Sequence, residues 1–163
     1  MIEALEPWKD FNVAMAGACG ALAGLIIVAV SVNIKEILAS RSQPARAGVA
    51  IGTLVMVVAV ACLGLMPDVP LWLYGVEVLA LAAVLVVLQA FATVRLVTET
   101  GKTPFQRVVT ILTGVVPVAL FVLGAALLVL GLGAGLFVLA WASIASIVFA
   151  ILFSWVALVE VLR

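Results

Sequence analysis

The chain has 163 residues, of which 67% are apolar and 10% charged, against roughly a quarter charged in an ordinary soluble domain. Eight basic residues balance eight acidic ones and there is no histidine, so a basic nucleic-acid footprint is excluded, and the commonest metal ligand and acid–base group is missing. The two cysteines, Cys19 and Cys62, lie in apolar runs and fit neither a disulfide framework nor a zinc motif.

Five runs reach the ~20 apolar residues that a bilayer-crossing helix needs. They cover 11–32, 47–66, 70–94, 108–130 and 135–159. The pattern predicts an all-α fold: a polytopic membrane helix bundle of five transmembrane helices, forming a single transmembrane domain over residues 1–163. The first run is preceded by Glu3, Glu6 and Asp10 against a single Lys9. A secretory leader needs a basic start, so this run reads as a span that is retained. "AGAC" at 16–19 lacks the leucine of a lipoprotein cleavage box.

The first span opens on small side chains. From Ala14 to Gly24, nine of eleven residues are Ala, Gly or Cys. Helices in lipid associate by close van der Waals packing, which small residues permit. Gly20 and Gly24 form a GxxxG pair, Gly17 lies one turn earlier, and Ser31 continues approximately that face. Gly17, Gly20, Gly24 and Ser31 are therefore candidate helix-packing residues. Because small residues surround this part of the helix, the first span is expected inside the bundle, with several neighbours. Asn33, Lys35 and Glu36 close it at the boundary.

The second span ends at "PDVP" (67–70), which forces an antiparallel hairpin with the third. The third carries Glu77, seven residues after Pro70 and so ~10 Å into the slab at 1.5 Å per residue. A carboxyl at that depth marks an ion or proton site, or else a hydrogen-bonded structural group. Its candidate partners are Tyr74 one turn away and Ser143 or Ser146 of the fifth span. Gln89 and Arg95 read as interfacial anchors closing the third span.

The fourth span holds Gly114, Gly124 and the mid-helix Pro117, a candidate kink or hinge. "GLGAG" (131–135) turns it into the fifth, which Glu160 and Arg163 close. Trp8, Trp72 and Tyr74 fit an aromatic belt at one interface, with Asn12 near the same boundary, and Trp155 fits the other interface. Trp141 reads as a packing residue. Thr53, Thr110 and Thr113 need no partner beyond the carbonyl of the preceding turn.

Basic residues concentrate in two connections, with Lys35, Arg41 and Arg46 in one and Arg95, Lys102 and Arg107 in the other; the two tight turns have none. The positive-inside rule then puts the N-terminus outside and the C-terminus in the cytoplasm.

The stretch "FNVAMAGACGALAGLIIVAVSVNIKEIL" (11–38), followed by "GLMP" at the end of the second span, resembles a family of small uncharacterised multi-pass bacterial membrane proteins, frequent in actinobacteria. The resemblance implies an inner (plasma) membrane location.

No phosphate-binding Gly-Lys loop, HExxH, paired catalytic carboxylates or nucleophile elbow occurs. No enzyme activity, cofactor, metal or nucleic-acid partner is expected. The expected function is that of a non-enzymatic integral membrane protein acting by helix packing, as a homo-oligomer or as an accessory subunit of a membrane complex, with membrane lipids around it. The alternative is a small oligomeric ion channel or transporter using Glu77. A membrane enzyme or lipid-binding protein is a third reading.

Overall fold

A computed structural model describes residues 4–40, 42–98 and 104–155. After a 3-10 turn at Glu6–Trp8 come α1 (Lys9–Val32), α2 (Ile34–Ala39), α3 (Gln43–Gly64), α4 (Leu71–Val97), α5 (Pro104–Val129) and α6 (Ala134–Trp155), with no strand among the described residues. Five helices, all but α2, are long and apolar enough to cross a membrane. They correspond to the five runs read from the sequence. Glu160, Arg163 and the last part of the fifth run lie outside the described residues.

Local chemistry sets the helix ends. Pro44 sits in the first turn of α3, where its missing N–H costs nothing. After Gly64 the chain turns through Asp68, whose φ of 59° is one of the left-handed conformations a short polar side chain tolerates. Pro70 then stands in extended conformation at the start of α4. Gly131, at φ 78°, ends α5 in a Schellman turn: its N–H reaches Leu128 O at 2.9 Å and the Leu132 N–H reaches Leu127 O at 2.9 Å. Asn33 interrupts the first span, its Nδ2 donating to Ala29 O at 3.0 Å, and α2 follows directly. Asn33 thus closes α1 where the sequence placed the boundary, as a buried joint.

The helices α3, α4, α5 and α6 form a ring in which each packs against the next and α6 returns to α3. α1 lies outside this ring, against α3 and, to a lesser extent, α6. Its most apolar stretch is 22% buried, against 56% for α3. The expectation that the first span sits inside the bundle is thus overturned; α3 holds the central position. The inward face of α1 carries Asn12, Met15, Cys19, Ala23 and Ile26, at the three- and four-residue spacing of one helix face. At the start of the chain, the Trp8 ring meets Phe137 of α6 edge-on, centroids 4.8 Å apart.

Glycines bring the ring helices together. Leu128 of α5 is fully buried between two of them. A Cβ on Gly75 of α4 would lie 2.8 Å from Leu128 Cβ, and one on Gly135 of α6 would lie 2.7 Å from Leu128 Cγ. Gly135 also faces Gly124 across α5 and α6, its Cβ position 2.5 Å from Gly124 O. In lipid, where apolar side chains gain nothing by leaving water, such close packing is the main source of helix cohesion.

Candidate functional site

Polar groups inside the slab gather at two levels. Near the hairpin turns, Tyr74 of α4 is buried and its hydroxyl donates to Val60 O of α3 at 3.2 Å. Gly64 of α3 leaves room beside it: a Cβ there would fall 2.6 Å from Asn12 Nδ2 of α1 and 3.4 Å from the Tyr74 hydroxyl. Three helices meet at this point. The expectation of Tyr74 and Asn12 as interfacial residues is corrected, since both are buried. The Tyr74 hydroxyl finds its acceptor on the neighbouring helix.

Glu77 is one turn further along α4, about 9 Å from the helix start at 1.5 Å per residue. It is half-buried, and its Oε2 is shielded from solvent with no hydrogen-bond partner. The partners expected for it are engaged elsewhere. Tyr74 bonds Val60, Ser143 donates to Leu139 O at 2.9 Å, and Ser146 donates to Ala142 O at 2.8 Å. Each serine thus satisfies its own helix. No hydrogen bond joins Glu77 Oε2 to any of the three.

The second level lies toward the basic connections. Gln89 of α4 is buried, its Nε2 donating to Thr93 Oγ1 at 3.1 Å, and its Oε1 has no partner. It faces Gly114 of α5, where a Cβ would sit 2.8 Å from Gln89 Oε1. Arg46, Thr93 and Thr110 line the same small cavity between the ring helices. Gln89 was expected to close its helix at the interface. It is instead two turns inside, because α4 continues to Val97, and it is accommodated because Gly114 has no side chain. Nothing in the hydropathy of either helix marks this pairing; two interruptions at matching depth, Gln89 and Gly114, were the available signal. Thr53 and Thr113 bond carbonyls of their own preceding turns, as expected.

α1 turns its candidate packing residues outward. Gly17, Gly20, Gly24 and Ser31 are exposed, and a Cβ on any of the three glycines meets no atom within 4 Å. Ser31 bonds its own helix at Ile27 O, 2.8 Å away. Among the described residues nothing packs on the three glycines, because Asn12, Met15, Cys19, Ala23 and Ile26 form the inward face. α5 runs unbroken through Pro117, whose buried ring lines an apolar groove of ≈ 520 Å³ shared with Trp141 of α6. Trp141 is 65% exposed, so it does not pack in the core. Both cysteines are free thiols, Cys19 buried and Cys62 exposed.

Among the described residues, no group of three or more His, Cys, Asp or Glu could hold a metal ion. The chain matches no family model, no curated protein and no solved structure. Its own geometry therefore carries the functional argument.

Proposed function

We propose that this protein works by helix packing: the outward face of α1 is a contact surface for another transmembrane helix, in a homo-oligomer or in a membrane complex that this chain joins as an accessory subunit. The observation that carries the reading is the open space at Gly17, Gly20 and Gly24. A face this poor in bulk gives up dispersion contacts against lipid, and recovers them when a second backbone approaches closely. The basic residues Lys35, Arg41 and Arg46 of one connection and Arg95, Lys102 and Arg107 of the other support an orientation with the N-terminus outside and the C-terminus in the cytoplasm. A bacterial inner membrane is the proposed location, supported by the resemblance of residues 11–38.

The test is the double variant Gly20→Ile and Gly24→Ile. A Cβ at either position meets no described atom within 4 Å and both positions are exposed, so the monomer should fold as the wild type does. Its assembled mass in detergent, or its capture of a fixed partner in a native pull-down, should be lost. Unchanged assembly in the variant refutes the reading.

A second reading keeps Glu77 as the intramembrane polar site of an oligomeric channel, favoured by its shielded, unpartnered oxygen. Symmetric assembly would repeat that carboxyl around an axis. Ion flux in liposomes that disappears in Glu77→Gln supports it; absence of flux in the wild-type protein removes it.

A further inference from the structure

A cleft of ≈ 340 Å³ opens at the basic end of the molecule, between the end of α2, the first turn of α3 and the end of α4. Its walls are mixed. Leu38, Pro44, Ala45 and Phe91 supply apolar surface, and Ser40 and Arg95 supply polar groups. Among the described residues, no carboxylate lines it. The Arg95 guanidinium lies over the Phe91 ring, 4.8 Å from its centroid, and makes no ion pair with any described residue. Stacking on an aromatic ring one turn back fixes the direction of the cation without neutralising it.

We propose that this cleft binds the phosphate headgroup of an anionic phospholipid, with Arg95 as the counter-charge and an acyl chain running along Phe91 and the exposed face of α4. Position and charge select that occupant. The cleft is at the end of a membrane-crossing helix, so its ligand must be polar at one end and apolar at the other. It is more than ten times the ~30 Å³ that one water occupies in the liquid, so it accommodates a headgroup. A basic pocket between transmembrane helices at one interface is the physical form such lipid sites take. On α4, Val84, Val87 and Phe91 are all exposed and spaced to cover one side of the helix, a continuous track for a chain below the headgroup. The inference deepens the packing reading only in naming a lipid partner, and does not require that copies assemble.

The experiment is native mass spectrometry of the full-length protein released from micelles containing equal phosphatidylglycerol and phosphatidylcholine. The wild type should retain phosphatidylglycerol preferentially. Arg95→Gln should lower that preference by roughly five-fold, the effect of one basic residue near an anionic surface. Arg95→Lys should keep most of it. Ala39→Trp fills the cleft from an exposed position without altering charge, and should also reduce retention. Lys35→Gln, an exposed cation of α2 outside the cleft, should lower retention clearly less than Arg95→Gln does. Soluble glycerol phosphate at the same concentration should not displace the lipid. Equal retention by wild type, Arg95→Gln and Ala39→Trp overturns the proposal. So does an equal loss in Lys35→Gln, or displacement by glycerol phosphate alone.

Discussion

Consider adding one methyl group to each of two glycines, Gly135→Ala and Gly20→Ala. In a helix interior, alanine is favoured over glycine by roughly 0.5–1 kcal/mol. At Gly20 nothing opposes that gain, because no atom lies within 4 Å of the new Cβ. The monomer should be unchanged or more stable by up to about 1 kcal/mol. At Gly135 the new Cβ would stand 2.5 Å from Gly124 O and 2.7 Å from Leu128 Cγ. Neither can yield cheaply. The first is backbone, and Leu128 is fully buried with Gly75 against its other side. Forced overpacking of this kind costs about 1–3 kcal/mol. Gly135 is the second residue of α6, where the helix-propensity gain is smallest. The net expectation is a loss of roughly 1–2 kcal/mol for Gly135→Ala. Equilibrium unfolding of the monomer in mixed micelles, titrated with a denaturing detergent and followed by tryptophan fluorescence, measures both. If Gly135→Ala unfolds at the same midpoint as the wild type, or Gly20→Ala loses as much stability, then the division into tight and open glycines is wrong.

Tyr74→Phe removes the hydroxyl that reaches Val60 O and should cost about 0.6 kcal/mol, at most ~1.7, the range of interhelical hydrogen bonds in membranes; the same unfolding assay checks it. Gly114→Ala, pressing on Gln89 Oε1, should destabilise by about 1–3 kcal/mol. Adding Gln89→Met should recover part of this, since residues in contact are not additive; strictly additive losses would contradict the packing described. In detergent, a small maleimide should modify the exposed Cys62 and reach the buried Cys19 on unfolding alone, as peptide mass mapping will report. For orientation, Gly133→Cys and Glu36→Cys are placed at exposed positions of opposite ends in a background without the native thiols. An impermeant reagent applied to whole cells should label Gly133→Cys alone, and the reverse pattern inverts the proposed topology.

The five membrane-crossing helices and both tight turns were legible because hydropathy, the prolines of 67–70 and the glycines of 131–135 report them directly. What the sequence concealed was which side of each helix faces protein. In water the inward face is the apolar one. In lipid every face is apolar, and only size and polarity remain as guides. Size misled at α1: the abundance of small residues suggested an interior helix, whereas Met15, Cys19 and Ile26 fill the contact with the ring and the glycines point away. Polarity misled at Asn12, Tyr74 and Gln89, each read as an interfacial residue. All three are buried because a partner helix supplies an acceptor or an absent side chain: Val60 O for Tyr74, Gly64 for Asn12, Gly114 for Gln89. Such pairings join residues on different helices, and no single-helix pattern contains them. Glu77 was recognised as anomalous from sequence, but its isolation from Ser143 and Ser146 depended on α4 and α6 standing across the ring from one another.

The middle of the four-helix ring is occupied by side chains, Phe121, Leu128, Val78 and Phe149 among them, all buried. If the channel reading with Glu77 holds, ions are therefore expected to pass where separate copies abut rather than through this hydrocarbon.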